Sequence, residues 1–430
     1  MRRGYPRHLG ARFERAPPQS ADTGIHPPSS YPARREPRPP GPSRALTPAG
    51  VSATSSSAFL ALVPHLLECT PRESLVLVPF SESRSLGAMR VDLPTDTSAN
   101  ESVASTVIGM ACKVTRTDAV AIVVYADEVL ADLPAAPHRA LVEAAMGRAE
   151  ICGLRVVDAL VVGSDGWDSY LSPSSSTPHS LSDIAAHTPA APIGAVVDDQ
   201  FAAAELPPID AVVSRRVMSG LRAIERVLGG PQERCALPLL TRAATGDPAT
   251  VALADPPVLI EDALATPPEE LDAAQLAALA YCLARPSLRD VALMQWVADL
   301  ATGDAVLQAQ TAFHRGKPFP DDLARPMWGE GALPDPDRLR RALELCRRVA
   351  SVLPRERRPG PLSACAWLAW ATGRSSHAAL YAERALEIDP DHGLSALMLD
   401  VIDAGHLPEW VFERPTSRAG TGSSREYPGR

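Results

Sequence analysis

The sequence predicts an α/β protein: an N-terminal three-layer α/β domain with a mixed sheet, followed by an all-α helical domain. Two observations predict this architecture. Between residues 74 and 171, short runs rich in Val, Ile and Leu alternate with helix-patterned or turn-rich segments, which is typical of a buried sheet covered by helices. Beyond residue 194 the hydrophobic period is that of helices, and no further strand is predicted.

The predicted sheet has a hairpin, a central strand and a second hairpin. The central strand is an unbroken apolar run, as expected where both faces of a strand are covered. The first hairpin turns at residues 82–85, and the second turns at Ser164-Asp165-Gly166. The predicted strands are residues 74–80, 86–93, 119–125, 154–162 and 167–171.

The predicted helices follow apolar residues at helical spacing. Gly153 stands where a helix ending at residue 152 needs a C-terminal glycine. A charged, proline-containing linker is predicted at residues 355–361. The predicted helices are residues 99–115, 138–152, 210–228, 272–283, 287–301 and 337–353.

Proline and serine clusters mark the boundaries, because the 43 prolines of the 430-residue chain are concentrated in a few segments. The arginine-rich N-terminal segment contains too few large apolar groups to offset ordering entropy, so it is predicted to be disordered. It is a solvated tail or an over-extended start, or alternatively an arm for an anionic partner. The predicted divisions are a tail at 1–46, an α/β domain at 47–172, a linker at 173–193, a helical domain at 194–405 and a disordered tail at 406–430.

Composition excludes several classes of protein. The net charge of −9 argues against a protein whose main task is to bind nucleic acid. No apolar run reaches the roughly 18 residues of a membrane span. The 7 cysteines have no regular spacing, which favours free thiols in a reducing compartment, so a cytoplasmic location is predicted.

No motif for a cofactor or a metal is found. A Walker loop and a Gly-x-Gly-x-x-Gly fingerprint are missing after the first predicted strand, and Gly163-Ser164-Asp165-Gly166 does not have the spacing of a nucleophile elbow. The histidines are not at ligand spacings. We therefore predict neither a cofactor nor a metal site.

Arg90 and Asp92 are the first candidate ligand-binding residues. They share one face of the second predicted strand, near the strand ends where α/β proteins bind small molecules. The competing interpretation is a surface or interdomain ion pair, and it is the favoured one.

Asp158 interrupts an apolar strand, where a buried unpaired carboxyl would have a raised pKa. A half-exposed position or a basic partner is the favoured interpretation.

The second hairpin carries the best candidate for a recognition site. Asp165, Trp167 and Tyr170, together with Asp168, concentrate polar and aromatic groups around a tight turn beside a long insert. Tyr125, at the end of the central strand, would lie in the same crevice. The competing interpretation is a hairpin whose aromatic side chains pack on the domain, and it is again favoured.

Several stretches together resemble one bacterial family, domain of unknown function 4192, found mainly in actinobacteria. These stretches are residues 59–67, 70–80, 90–94, 121–125, 153–162, 167–170, 288–290 and 364–390. The resemblance implies the two-domain organisation but no activity. Family members commonly have cysteines after the Trp-x-Ser-Tyr element, where this chain has Ser172 and Ser174–Ser176, so a thiol-based metal or disulfide role is not expected there.

A further helical pair, within residues 364–390, resembles a single tetratricopeptide repeat. Ala366, Gly373, Ala378, Ala385 and Pro390 match its small-residue and proline positions. Gly373 is expected to end the first helix, and Arg384 is expected to face solvent. A solenoid needs three or more repeats, so we expect a cap on the helical domain rather than a peptide groove.

These observations predict a non-catalytic interaction or regulatory module with a protein partner bound through the helical domain. The alternative is a small-molecule-binding or hydrolytic enzyme with its site at the strand ends of the α/β domain. A nucleic-acid role ranks third, because only the basic tail supports it.

Overall fold

The computed structural model describes residues 55–82, 84–174, 177–187, 196, 201, 204–208, 210–230 and 248–412. The predicted N-terminal tail and residues 413–430 lie outside the described residues. No helix among the described residues is long and apolar enough to cross a membrane.

The N-terminal part of the described chain is a six-stranded mixed sheet. Its strand order is β2-β1-β4-β5-β6, with β3 beside β1, and only β4 and β5 run parallel. The strands are β1 (Ser74–Ser81), β2 (Arg84–Ser85), β3 (Met89–Asp92), β4 (Ala119–Tyr125), β5 (Arg155–Val162) and β6 (Trp167–Ser169). The predicted mixed sheet is confirmed.

Helices cover both faces of the sheet, because β4 sends alternate apolar side chains to opposite sides. Val120, Ile122 and Val124 pack with α2 and α3, whereas Ala121 and Val123 pack with α1. All seven residues of β4 are buried. The three-layer prediction is therefore confirmed. The helices of this part are α1 (Ser56–Leu67), α2 (Asn100–Lys113), α3 (Arg139–Ile151) and α4 (Leu181–Ala185).

The return strand of the first hairpin differs from the prediction. The sequence predicts one strand over residues 86–93, but the chain pairs with β1 in two pieces, β2 and β3. Gly87 lies between them with φ +125, a conformation that side-chain-bearing residues rarely adopt. The ladder is therefore interrupted at Gly87.

The second part of the described chain is helical. Its core includes three indole side chains that are almost completely buried, those of Trp296, Trp367 and Trp370. The helices are α5 (Ala211–Leu228), α6 (Pro248–Val251), α7 (Pro256–Ala265), α8 (Ala273–Leu283), α9 (Pro286–Val297), α10 (Leu300–His314), α11 (Asp321–Ala324), α12 (Pro336–Val352), α13 (Pro359–Ala371), α14 (Ser375–Leu386) and α15 (Gly393–Asp403). We call residues 210–230 and 248–412 the helical half.

Two predicted boundaries in the helical half are wrong. The single helix predicted at residues 287–301 is two helices, because the side chain of Asp299 accepts the Thr302 amide at 2.8 Å and starts α10. The linker predicted at 355–361 contains the start of α13, since Pro359 at the first helical position needs no hydrogen-bond partner for its nitrogen.

Parts of the predicted linker and second tail pack on their neighbours. His179 exchanges backbone hydrogen bonds with Trp167, and Ile184 of α4 packs against the α1 layer. After α15, Trp410 is buried and donates its indole N–H to the carbonyl of Ala371 at 2.9 Å. The predicted division into domains stays a prediction.

The last helix pair packs through small residues. Ala366 of α13 and Ala378 and Ala385 of α14 are fully buried, and Gly373 follows the end of α13 with φ +79. Arg384 does not simply face solvent as predicted. Its guanidinium donates to the Ala204 carbonyl at 3.1 Å and pairs with Glu205 at 2.7 Å.

We expect Ala385→Leu to lower the free energy of unfolding by about 1–3 kcal/mol, because it adds three carbon atoms to a contact with no free space. Glu383→Leu on the same helix is the matched control, since Glu383 is exposed and Leu and Glu have similar helix propensities. It should stay within about 0.5 kcal/mol of wild type. Urea denaturation measures both, and equal midpoints would contradict close packing at Ala385.

Candidate functional site

The sheet register brings the sequence-predicted residues to one edge of the sheet. Asp92 lies opposite Ser74, and Ser74 lies opposite Tyr125. Tyr125 pairs in turn with Val162, which is opposite Trp167 on β6. We call this row, with the loops that leave it, the strand-end edge. It is the edge where the sequence analysis expects a crevice.

Arg90 is the most constrained polar residue at this edge. Its side chain is only 10% exposed. The guanidinium donates to Ser74 Oγ and to Asp92 Oδ1, both at 2.7 Å. It also donates to Ser376 Oγ on α14 and lies 5.8 Å from the ring centroid of Phe201. Arg90 and Asp92 thus form an ion pair within β3, and the hydrogen bond from Arg90 to Ser376 links β3 to the helical half.

The loops of the strand-end edge are joined by further polar contacts. Arg72 and Asp127 form an ion pair at 2.7 Å, and the Asp127 amide donates to Glu73 Oε1 at 2.6 Å. Glu68, just after α1, pairs with Arg374 at the start of α14. The edge is thus filled by its own loops on one side and by the helical half on the other.

Tyr125 is buried at the end of β4. Its hydroxyl has no hydrogen-bond partner among the described residues. Burial raises the pKa of Tyr125, and the nearby Cys69 thiol adds to the shift. The side chain is therefore a neutral phenol at every physiological pH.

Asp158 lies on the α1 face of the sheet rather than at the strand-end edge. Its carboxylate accepts the Ser56 hydroxyl at 2.7 Å and so ties β5 to the first turn of α1. Asp158 is also next to the register shift of β5, where Val157 is 45% exposed. Asp158 is half-buried, which is one of the two favoured interpretations, and its partner is a hydroxyl rather than a basic side chain.

The polar groups of the second hairpin are used within the protein. Asp165 accepts the backbone amides of Leu130 and Ala131 at 2.7 and 3.1 Å, which shapes the loop after β4. Tyr170 donates its hydroxyl to the Pro137 carbonyl at 2.6 Å. The structure thus gives both side chains a clear role in holding neighbouring loops.

Trp167 packs on the opposite layer from Tyr170. Its ring stacks on His179 with centroids 4.4 Å apart, and its buried indole N–H has no partner among the described residues. Asp168 accepts the Ser174 amide and hydroxyl at 3.0 and 3.1 Å. The aromatic and acidic groups of this turn therefore hold the following insert against the sheet.

The sequence analysis missed an apolar groove in the helical half, which we call the aromatic groove. It is shallow, with a cavity volume of about 20 Å³. Trp328 and Leu397 at its rim are 49% and 37% exposed. The available signal was that five of the six tryptophans of the chain lie in the helical half. The groove is lined by Met327, Trp328, Trp367, Trp370, Leu394, Leu397, Met398, Val401 and His406.

The indole nitrogens at the base of the aromatic groove are satisfied. Trp367 donates to the Met327 carbonyl at 3.1 Å, and Trp370 donates to the His406 carbonyl at 2.8 Å. These bonds fix the two indole rings, whose apolar faces then line the groove. A guest would meet a preformed hydrocarbon surface with few polar groups to match.

Arg289 and Asp290 are less solvated than a surface pair. Arg289 is 8% exposed and bonds the adjacent Asp290 at 2.9 Å. Burial raises the pKa of Asp290, and the Arg289 charge opposes that shift. Burial lowers the pKa of His392, at the start of α15, and the positive charge of Arg289 adds to the shift. The ion pair of Arg289 and Asp290 in α9 therefore lies inside the helical half, near the start of α15.

Within the described ranges, no three His, Cys, Asp or Glu side chains are arranged to hold a metal ion. Of the four serines that stand where family members have cysteines, Ser172 and Ser174 lie in the described ranges and the other two lie outside them.

Comparison with known proteins finds one family. The model of the family described as Domain of unknown function (DUF4192) matches residues 57–320 and 331–409. It therefore covers both the sheet and the helical half. Comparisons with curated proteins and with solved structures give no match.

We expect Arg90→Ala to lower the free energy of unfolding by about 2–3 kcal/mol, because charge-assisted hydrogen bonds to three elements are lost. The loss for Arg90→Lys should lie between zero and the loss for Arg90→Ala, since one ammonium group does not reproduce a forked guanidinium. Arg155→Ala, at an exposed arginine of the same sheet, is the control and should stay within about 0.5 kcal/mol. Chemical denaturation measures all three. A loss for Arg90→Ala no larger than the control would show that the contact does not join the halves.

Proposed function

The chain belongs to the DUF4192 family, whose description assigns no activity, and we propose that it is a non-catalytic interaction module of the cytoplasm. In this proposal the helical half binds a protein partner through the aromatic groove. The observation that carries the proposal is the contrast between the two candidate surfaces. The polar groups at the strand-end edge are largely engaged within the chain, whereas the groove exposes Trp328 and Leu397.

The chemistry of the aromatic groove favours an apolar side chain of a protein as its guest. Trp and Met are enriched at the centres of protein interfaces, and an exposed tryptophan beside a preformed pocket is a common hot spot. The cavity itself is about 20 Å³, far below the roughly 300 Å³ at which small-molecule sites begin. A partner would therefore place its apolar side chains against the exposed rim residues Trp328 and Leu397.

The remaining parts of the proposal rest on composition. Cys112, Cys152, Cys282, Cys346 and Cys365 are free thiols, which agrees with a reducing compartment. The net charge of −9 argues against a nucleic-acid partner. The tetratricopeptide-like pair α13–α14 serves in this proposal as a packed support for the groove, since both Trp367 and Trp370 belong to α13.

The competing function is a small-molecule-binding or hydrolytic enzyme at the strand-end edge. The buried hydroxyl of Tyr125 is the observation in its favour, because an unpartnered polar group beside strand ends could meet a ligand.

A photo-crosslinking residue at position 397 should capture a defined protein in cells, whereas the same residue at position 313 should not. Phe313 is 55% exposed on α10 and lies outside the groove. Against the captured protein in purified form, Trp328→Ala should weaken binding by about tenfold or more. Phe313→Ala is the matched truncation and should leave the affinity unchanged. Equal loss in both variants, or identical capture from both positions, would refute the groove as the binding surface.

Tyr125→Phe separates the two functions. In a non-catalytic module, removing a buried hydroxyl without a partner should leave stability unchanged or raise it by about 1 kcal/mol, with partner binding unaffected. Thermal denaturation and the binding assay above measure this. A metabolite that copurifies with wild type and is lost in both Tyr125→Phe and Asp92→Asn would instead support the enzyme.

A further inference from the structure

A cavity of about 330 Å³ opens between α7 and α12, on residues that belong neither to the strand-end edge nor to the aromatic groove. It is far larger than the cavity of the aromatic groove and lies within the range of roughly 300–1,000 Å³ that small-molecule sites occupy. Its lining comes from the end of α7, the turn that follows α7 and the middle of α12. We call it the α7–α12 cavity.

The wall on the α7 side exists because two prolines stop the helix. The residue before a proline avoids the α conformation, so Thr266 is extended, with φ −96 and ψ 135, and ends α7. Its hydroxyl donates to the Asp262 carbonyl at 2.8 Å, which ties the turn to the helix. Pro267 and Pro268 then form a stiff apolar wall, and Glu269 follows them in the cavity lining.

The two helices are joined one turn away from the cavity. Arg338 of α12 donates to both carboxylate oxygens of Glu261 of α7, at 2.7 and 2.6 Å. One helical turn further along, the facing positions are Leu264 and Arg341. Leu264 and Leu345 are buried and supply the apolar part of the lining. The helix faces that close over an ion pair at Arg338 therefore open into a cavity at Arg341.

The charged groups of the lining have no partners of opposite sign. On α12, Arg338 and Arg340 both pair with carboxylates, whereas no carboxylate among the described residues lies within ion-pairing distance of Arg341. Glu344, on the same face of α12, and Glu269, on the α7 side, likewise have no basic partner in the described part of the chain. All three side chains are exposed, so a ligand reaches them from solvent without any opening of the fold.

This mixture of charges selects the chemistry of a ligand. A simple anion would be repelled by the two carboxylates, and a simple cation would be repelled by the guanidinium. A ligand that carries both signs is attracted by all three groups. The buried leucines and the two prolines favour an apolar body between the two charges.

We propose that the α7–α12 cavity binds a free amino acid with an apolar side chain. The ligand carboxylate pairs with the guanidinium of Arg341, whose fork of N–H groups matches two carboxylate oxygens. The ligand ammonium group pairs with Glu269 and Glu344. The cavity has the volume of about eleven water molecules at about 30 Å³ each, which accommodates an amino acid such as leucine. This site is separate from the protein-binding surface proposed above.

Isothermal titration calorimetry of the full chain tests the site with three probes of similar shape. They are leucine, isoamylamine, which lacks the carboxylate, and isocaproate, which lacks the ammonium group. Leucine should bind more tightly than either by about tenfold or more, and it should raise the melting temperature by mass action. Equal affinities of the three probes, or no leucine binding at millimolar concentrations, would overturn the proposal.

Variants of α12 assign the ligand carboxylate. Arg341→Ala should weaken leucine binding by about tenfold or more, because the carboxylate loses its bidentate partner. Arg340→Ala is the matched control, since Arg340 is the exposed neighbouring arginine, is absent from the cavity lining and pairs with Asp337. It should leave the affinity unchanged. Circular dichroism checks that both variants fold, and equal affinities in the two variants would refute the assignment.

The double variant Glu269→Gln with Glu344→Gln tests the other end of the ligand. It should weaken leucine binding while leaving the affinity for isocaproate unchanged or higher, because the lost carboxylates contact only the ammonium group. An equal loss for leucine and isocaproate would contradict the proposed orientation. The probe series in the wild-type chain decides the proposal even if a variant fails to fold.

Discussion

The guanidinium of Arg90 links the two halves from a nearly buried position, beside the ion pair of Glu68 with Arg374. A nearly buried cation is tolerated only when its N–H groups are satisfied. Arg90 draws those partners from β1, β3 and α14, and Phe201 faces it from the segment before α5. Because the partners come from parts of the chain almost 300 residues apart, satisfying one side chain requires the sheet edge, the linker segment and the helical half to be assembled together.

This arrangement has a consequence for the strand-end edge. In open α/β sheets a ligand crevice forms where parallel strands diverge, but here only β4 and β5 are parallel. The loops at this edge need acceptors for their backbone amides, and Asp165 and Glu73 supply them. Carboxylates that could have faced a ligand are instead parts of the loops themselves. Of the strand-end edge and the aromatic groove, the surface that leaves apolar side chains open to solvent is the groove, where the apolar side chain of Trp328 remains half exposed. Binding at the aromatic groove rests on apolar area that the fold leaves open between α13, α15 and residues 325–328.

The sequence by itself determined the elements that depend on local patterns. The apolar run of β4, the helical period of α5 and the glycine after α13 each specify their structure within a few residues, because period and turn chemistry are local properties. It also placed Asp92, Tyr125 and Trp167 at strand ends. Only the tertiary structure decided which partners the polar side chains meet. Arg384 contacts Glu205 and Asp158 contacts Ser56, since each partner is brought close by packing between distant segments. The aromatic groove belongs to the same class, because a concave surface exists only after α13 and α15 have packed.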